Sequence, residues 1–263
     1  MHALSRLEKS NSKKKSPKIR LDKFLIEKSF ASNENEARAL ILSGKVFCEN
    51  ACLDKVGFLV HIDSSDIFVR DKKGHSWVSR GGMKLDHAIK YFEVDIKDFV
   101  AIDVGASTGG FCDVMLANNV AKIFAVDVGY GELAWKIQSD ERVVILDRTN
   151  ARNLTEQQIT EKVDLIVCDA SFINLEKVLP KAMSFAKDDA ILIALIKPQF
   201  EAAKKYVDAG NGIITDSSVH EQVCENVKYW LEDEMNWQVI GLTESPILGA
   251  EGNKEFLIIA KKS

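Results

Sequence analysis

The segment that decides the fold is DVGASTGGF, residues 103–111. It closes an apolar run and precedes a helical pattern, so its glycines occupy the first turn of a β-α-β unit. Gly105 lets the backbone pass close to a ligand, and the glycine pair 109–110 permits tight entry into the helix. Ser107 stands where a dinucleotide-binding G-x-G-x-x-G turn has its second glycine, and a pyrophosphate would press against that backbone. The turn therefore predicts a nucleotide-type ligand other than NAD.

Acidic residues end three successive strand patterns around this turn. Asp103 precedes the first glycine, Asp127 ends the run 122–127, and Asp147 ends the run 143–147. Asp103 suits the cationic amino-acid end of a ligand, Asp127 can accept hydrogen bonds from both ribose hydroxyls, and Asp147 is placed to reach an adenine. Together they predict a site for adenosine joined to an amino acid, as in S-adenosylmethionine; the alternative is a structural glycine turn with solvated acids. The predicted cofactor contacts are Asp103, Gly105, Ser107, Thr108, Gly109, Phe111, Asp127, Val128, Asp147, Arg148 and Asn150.

Strands and helices alternate from about residue 99 to the end of the chain. Apolar strands separated by helices predict the α/β class, with a Rossmann-like, largely parallel sheet that has helices on both faces. The predicted strands are 100–104, 122–127, 143–147, 164–169, 190–197, 238–243 and 255–260, and the predicted helices are 111–118, 175–186 and 218–232.

Two residues at the carboxyl ends of these strands are candidates for chemistry. Asp169 lies in CDASF (168–172) and Lys197 lies in LIKPQFE (195–201), so both point to the crevice that holds the cofactor. A lysine that ends an apolar strand needs a partner. A Lys–Asp pair beside a methyl donor favours orientation and activation of a hydroxyl, and the alternative is a structural ion pair. Neither an Asn-Pro-Pro-Tyr-like motif nor a Pro-associated cysteine follows the fourth strand, which leaves a ribose oxygen as the leading methyl acceptor.

The charge of the chain is unevenly distributed. Residues 1–90 contain 18 Lys and Arg against 11 Asp and Glu, whereas the remainder contains 17 against 28. A basic first third on an acidic body predicts a polyanion-binding appendage. The lysine-rich residues 1–17 predict a disordered tail, residues 18–73 predict a small α+β domain, and residues 74–79 predict a linker to a large domain at 80–263.

Within the small domain, two helix faces and three short strands can be read from the pattern. Leu21, Phe24 and Leu25 share one helix face, and Ala37, Leu40 and Ile41 share another, after a cap at Ser32 or Asn33. One expected strand begins at Val46, and the other two span residues 56–60 and 67–69.

No apolar run reaches the ~18 residues of a membrane span, and no signal peptide is recognisable. Five scattered cysteines predict buried thiols in a reducing compartment, without a disulfide framework or a metal site. We therefore expect a cytoplasmic protein, monomeric and without a membrane partner.

At these motifs the sequence resembles the TlyA family of ribosomal RNA 2′-O-methyltransferases, historically labelled hemolysin A. The resemblance covers nearly the whole chain from about Lys18. Its large domain is similar to the FtsJ/RrmJ ribose methyltransferases, and its small domain resembles an S4 RNA-binding domain. The segments that carry it are RLDKFL (20–25), EARALILSGKV (36–46), WVSRGGMKL (77–85), DVGASTGGF (103–111), VDVGYGELAW (126–135), DRTNARNL (147–154), CDASFI (168–173), IKPQFE (196–201) and GNKEF (252–256).

The resemblance implies a class I methyltransferase sheet, S-adenosylmethionine as cofactor and methylation of a cytidine 2′-hydroxyl in ribosomal RNA of the large and possibly the small subunit. The Lys-Asp-Lys-Glu tetrad of the related enzymes carries over to Lys84, Asp169, Lys197 and Glu255, with Glu251 as a competitor for the last place. Lys197 would hold or deprotonate the hydroxyl while the acids orient the amines. A non-catalytic RNA-binding or ribosome-assembly protein, a membrane-active hemolysin and a pseudouridine synthase are the alternatives.

The S4-like domain departs from its family at one position. Glu34 stands where S4 domains commonly have an arginine at the start of the second helix, which removes one phosphate contact. The predicted RNA contacts that remain are Arg20, Lys23, Arg38 and Lys45.

Overall fold

The computed structural model describes residues 17–28, 30–31, 33–48, 51–62, 64, 67–69, 77–249 and 251–263. Contacts between residues divide the chain into two compact units, one ending at Gly74 and the other beginning at His75. The predicted tail lies outside the described residues except for Pro17, as does the linker up to residue 76. The last linker residues differ from expectation, because Trp77 and Val78 pack against the core of the second unit.

The first unit is a small α+β fold built from antiparallel pairs. Strand β1 pairs with β4, and β2 pairs with both β3 and β5. The second helix begins after Asn33, whose Oδ1 accepts from the backbone N–H of Glu36 at 2.9 Å. Its elements are β1 (Lys18–Arg20), α1 (Leu21–Glu27), α2 (Glu34–Leu42), β2 (Val46–Cys48), β3 (Ala51–Cys52), β4 (Leu59–His61) and β5 (Ile67–Val69).

One expected strand of this unit is displaced. The backbone N–H of Phe58 donates to the carbonyl of Lys55 at 2.9 Å, which closes a turn inside the predicted strand 56–60. Strand β4 therefore starts only at Leu59.

The second unit contains a seven-stranded sheet in the order β11-β12-β10-β9-β6-β7-β8. The five strands from β6 to β10 run parallel, while β12 lies antiparallel between β10 and β11. The strands are β6 (Val100–Val104), β7 (Lys122–Val126), β8 (Val143–Leu146), β9 (Val163–Cys168), β10 (Ala186–Ile196), β11 (Trp237–Glu244) and β12 (Phe256–Lys262). The helices are α3 (Gly82–Tyr91), α4 (Gly110–Ala117), α5 (Trp135–Gln138), α6 (Leu175–Val178), α7 (Pro180–Met183), α8 (Pro198–Glu201), α9 (Lys204–Ala209) and α10 (Ser217–Tyr229), with a 3-10 turn at Ala151–Asn153 and a π turn at Trp230–Glu234.

Helices cover both faces of this sheet, which confirms the predicted α/β class. Alternate strand residues enter different cores: Ile102 and Ile166 pack with α6, α7 and α10, whereas Ala101 and Leu165 pack with α3, α4 and α5. The predicted helix 175–186 is wrong in its length. Pro180 has no N–H to continue α6 and begins α7 instead, and β10 already starts at Ala186.

Within the described ranges, no helix is both long and apolar enough to cross a membrane. The same residues contain no group of three or more His, Cys, Asp or Glu side chains that could hold a metal ion. Cys112, Cys168 and Cys224 are buried, whereas Cys48 is half-buried and Cys52 is exposed, so the expectation of buried thiols fails for these two.

Candidate active site

Four charged side chains from distant parts of the chain meet at one edge of the sheet. Lys197 Nζ lies 2.6 Å from Asp169 Oδ1, and Lys84 Nζ lies 2.7 Å from Glu255 Oε2 and 3.3 Å from Asp169 Oδ2. Asp169 therefore bridges the two amines. We call Lys84, Asp169, Lys197 and Glu255 the charged cluster.

The sheet topology explains why these residues converge. Asp169 and Lys197 follow the parallel strands β9 and β10, so they leave the sheet at the edge where ligands bind in such folds. Glu255 precedes β12, and because β12 is antiparallel to β10, its start lies at that same edge. Lys84 arrives from the first turn of α3.

Three members of the charged cluster are nearly inaccessible to water, whereas the side chain of Asp169 is 19% exposed. Lys84 and Lys197 are each 6% exposed and Glu255 is 3% exposed. Two cations and two carboxylates offset one another there, whereas a single unpaired buried charge would cost several kcal/mol. The cluster can hold charged groups in fixed positions without water.

Lys197 has two further partners besides the Asp169 carboxylate. Its Nζ donates to the backbone carbonyl of Asp169 at 3.1 Å and to Ser171 Oγ at 2.9 Å. Three acceptors therefore surround this one amine.

The charged cluster lines a cavity of about 370 Å³. At its mouth, Phe172 is 86% exposed and has a left-handed backbone (φ 65°), and its ring centroid lies 5.1 Å from that of Phe200. The remaining lining residues are Ser79, Arg80, Gly81, Gly105, Ala106, Ser107, Thr108, Gly110, Phe111, Ser171, Gln199 and Glu251.

A second cavity of about 460 Å³ adjoins the first. Gly105, Ser107, Asp169, Ser171 and Phe172 line both, so the two form one continuous groove. The second cavity is further lined by Val104, Val126, Asp127, Val128, Glu132, Thr149, Asn150, Ala151, Arg152, Ala170, Ile173 and Val178.

Asp127 joins the two turns that form the floor of this groove. Its Oδ2 accepts from the backbone N–H of Ser107 at 2.8 Å, and its Oδ1 accepts from that of Gly129 at 2.7 Å. Each carboxylate oxygen keeps a further lone pair, so both can still accept a hydrogen bond from a ligand.

Gly105 has φ +85°, and a Cβ at this position would lie 3.0 Å from the Ala170 backbone. Only glycine fits this turn so close to the neighbouring strand.

Four residues predicted to contact the cofactor line neither cavity. Asp103 is fully buried; its Oδ2 accepts from Cys112 Sγ at 3.0 Å, and burial raises its pKa to about 7. Gly109 (φ 90°) is the N-cap of α4, and Asp147 accepts from the backbone N–H of Gly131 at 2.8 Å. Arg148 lies 4.2 Å above the Tyr130 ring. Asp103 and Gly109 are buried, whereas Asp147 is half-buried and Arg148 is exposed. Contact of these four residues with a cofactor stays a prediction.

Comparisons with known proteins identify the family of this chain. Residues 77–262 match the FtsJ-like methyltransferase family, and residues 19–66 match the S4 domain. Bacillus subtilis YqxC, described as an rRNA methyltransferase, is 40% identical, and the match covers 92% of this chain and 85% of the YqxC chain. The Mycobacterium tuberculosis 16S/23S rRNA (cytidine-2′-O)-methyltransferase TlyA is 38% identical, and the match covers 92% of this chain and 89% of the relative's chain. This chain belongs to the TlyA family of FtsJ-like methyltransferases.

A solved structure from Streptococcus thermophilus, described as a hemolysin, has the same fold. It superposes with a TM-score of 0.72 at 35% sequence identity, and the superposition covers 94% of this chain and 89% of the S. thermophilus chain. The family predicted from the sequence motifs is thereby confirmed.

Sequence reasoning missed several residues that line the groove in this TlyA family member. Ser79 and Arg80 lie in the family segment 77–85, and Ser171 and Phe172 lie in the segment 168–173. Only the resemblance of these segments could have indicated them, because a single serine or phenylalanine has no periodic pattern. Gln199, Phe200, Glu132 and Arg152 also line the groove and were not singled out.

The residues predicted to contact RNA lie in the first unit. Arg20 pairs with Asp22 at 2.7 Å, and the hydrogen bonds from its guanidinium hold the pKa of that carboxyl below its usual range. Lys23 and Arg38 are exposed and Lys45 is half-buried.

Proposed function

We propose that this protein transfers a methyl group from S-adenosylmethionine to the 2′-oxygen of a cytidine in ribosomal RNA. The observation that carries the proposal is the buried cluster Lys84–Asp169–Lys197–Glu255 at one end of a groove that continues past the glycine-rich turn. The M. tuberculosis relative is named for that same reaction. The protein would act as a monomer in the cytoplasm, where ribosomal subunits assemble.

The groove has the chemistry that the cofactor requires. Its two cavities fall within the range of about 300–1,000 Å³ of small-molecule sites. Asp127 would accept hydrogen bonds from the ribose hydroxyls, and Val128 and Asn150 would border the adenine. The glycine-rich turn would hold the amino-acid end. When bound, the cofactor supplies an electrophilic sulfonium methyl group.

Lys197 would hold the acceptor hydroxyl in line with that methyl group. This amine acts by orienting the oxygen, since holding the two reacting atoms in line can itself supply much of the rate enhancement. The oxygen must lose its proton as the new bond forms, and that proton would pass to Asp169, whose carboxylate lies 2.6 Å from Lys197. Glu255 and Asp169 keep Lys84 in place, which sustains the charge balance of the site.

RNA recognition would be divided between the two units. The S4 domain offers the exposed cations Lys23 and Arg38 to phosphates. At the groove, the exposed ring of Phe172 offers a surface on which an unstacked nucleobase can stack.

The test is methyl transfer from labelled S-adenosylmethionine to purified small and large ribosomal subunits, followed by mapping of the modified nucleotide. We expect 2′-O-methylcytidine at one position or a few. Methylation of a base, or no transfer to either subunit by a protein that binds the cofactor, would refute the proposed reaction.

A further inference from the structure

Three acceptors already surround the amine of Lys197. Its Nζ donates hydrogen bonds to the Asp169 carbonyl at 3.1 Å and to Ser171 Oγ at 2.9 Å, and it forms an ion pair with Asp169 Oδ1 at 2.6 Å. If Lys197 is to hold the acceptor hydroxyl, one of these three acceptors must leave.

Two of the three acceptors are fixed. The Asp169 carbonyl belongs to a backbone held at the sheet, because the N–H of the same residue donates to the carbonyl of Val104 at 3.1 Å. The Asp169 carboxylate neutralises both buried amines. Its departure would leave the buried amine of Lys197 without a counter-charge and Lys84 with Glu255 alone, which is strongly unfavourable.

The third acceptor, Ser171 Oγ, is free to move. Ser171 is exposed and lines both cavities, and rotation about its Cα–Cβ bond carries the hydroxyl away from Lys197 without moving the backbone. A neutral hydroxyl is also chemically equivalent to the group that would replace it.

We propose that Ser171 is a positioning residue whose hydroxyl occupies, in the free enzyme, the place on Lys197 that the ribose 2′-hydroxyl takes in the complex. This inference rests on the proposed function. Exchange of one hydroxyl for another keeps the same number of acceptors around the buried Lys197 amine before and after binding, so no hydrogen bond is lost. The 2′-hydroxyl then contributes little net affinity, because the bond that it gains replaces one that is lost.

The test compares binding of two RNAs in the presence of S-adenosylhomocysteine, which permits no turnover. One is a fragment around the mapped cytidine, and the other has 2′-deoxycytidine at that position. For the wild type we expect the two affinities to agree within about threefold. In Ser171→Ala the 2′-hydroxyl fills a vacant donor, so the ribose form should bind about tenfold more tightly than the deoxyribose form.

Matched variants separate exchange from other roles of this side chain. Ser171→Thr retains the hydroxyl and should restore the wild-type ratio. Ser139→Ala removes an exposed hydroxyl that lines neither cavity of the groove, and it should leave the ratio unchanged. Unfolding temperature and S-adenosylhomocysteine affinity establish that each variant is folded.

An unchanged ratio in Ser171→Ala would overturn the inference, since the substrate hydroxyl would then bind elsewhere, for example on Lys84. A smaller ratio would also overturn it, because Ser171 would then contact the ribose directly instead of leaving. If the wild type does not methylate the mapped ribose at all, the proposed function fails, and that result is read from the product and not from the binding ratio.

Discussion

Asp169 lies between two lysines that have different neighbours, so the two amines should have separable roles. Lys197 lies beside Ser171 at the groove surface, whereas Lys84 pairs with the more deeply buried Glu255. Removal of either amine leaves a carboxylate with less compensation. Only the loss of Lys197, however, removes the group that would face the acceptor oxygen.

Lys197→Ala should lower kcat for rRNA methylation by at least about 100-fold, in the range of losses typical for an acid–base or orienting group. Cofactor affinity should stay within a few-fold, because the adenosine end of the groove lies around Asp127. Single-turnover methylation and calorimetry measure the two quantities. The matched control is Lys254→Ala, which breaks an exposed ion pair with Glu244 and should change neither. Retention of substantial activity in Lys197→Ala would assign the lysine a purely structural role.

At this scale the sequence indicates residue types better than partners. Asp169 and Lys197 could be selected from their strand ends, but Lys84 is separated from Asp169 by 85 positions and reads alone as a solvated helix charge. The resemblance alone indicated Lys84 and Glu255. Asp103 lies at a strand end, where an acid is expected to face the ligand, yet its side chain points into the core toward Cys112. The periodicity of the sequence does not predict this orientation.

The turns that follow the strands form the groove, and Gly105 provides the clearest test of their packing. Gly105→Ala introduces a Cβ at φ +85° and 3.0 Å from the Ala170 backbone, so the turn must shift. We expect cofactor affinity to fall at least about tenfold from this steric conflict together with roughly 1–2 kcal/mol of backbone strain. Gly131→Ala is the matched control. It has φ +68° but nothing within 4 Å of the added Cβ, so it suffers strain alone and should retain affinity within a few-fold. Equal losses in both variants would contradict a role for close packing at Gly105.

Helix α6 is too short to be stable alone, and a carboxylate from the next turn supports it. Glu201 Oε1 accepts from the backbone N–H of Leu175 at 2.9 Å, and burial raises the pKa of Glu201 from 4.5 to about 7. The contact joins the turn after β9 to the turn after β10. The contact also explains why the prediction of one helix over 175–186 was incomplete. The proline in this segment could be read from the sequence, but the stabilising partner Glu201, 26 positions from Leu175, could not.

Because the pKa of Glu201 is raised in the folded state, the folded state binds its proton more tightly than the unfolded chain does. The stability contributed by this group is full below about pH 4.5 and is lost as the pH rises toward 7. Relative to Glu201→Gln, the wild type should therefore lose up to about 3 kcal/mol of unfolding free energy across this window. Urea unfolding of both proteins at several pH values measures the difference. Glu221→Gln, at an exposed carboxylate of α10, should run parallel to the wild type. A wild-type and Glu201→Gln pair with the same pH dependence would refute the assignment.

Across the whole molecule, the charge distribution assigns different tasks to the two units. The residues after 90 contain 28 acids against 17 bases, which repels phosphate, and the S4 domain lies in the basic first third. The composition predicted this division, because a sum of charges needs no knowledge of contacts. The structure is needed to show which of the basic side chains can contact a phosphate. Arg20 makes a bidentate pair with the nearly buried Asp22, so its reversal would place two carboxylates together and destabilise the unit.

The exposed pair Lys23 and Arg38 therefore gives the cleaner test of RNA docking. Lys23→Glu with Arg38→Glu should weaken RNA binding and flatten its log–log salt dependence by up to about one unit per lost phosphate contact. Cofactor affinity should not change, because the groove lies in residues 79–255. Lys205→Glu with Lys228→Glu makes the same change of charge at exposed residues that line neither cavity of the groove, and should leave the slope close to that of the wild type. RNA binding is measured across a salt series for the wild type and both double variants, and methylation is assayed at each salt concentration. If the first pair changed neither slope nor methylation, or if the control pair changed them equally, phosphate contact by the S4 domain would not be what brings the RNA to the enzyme.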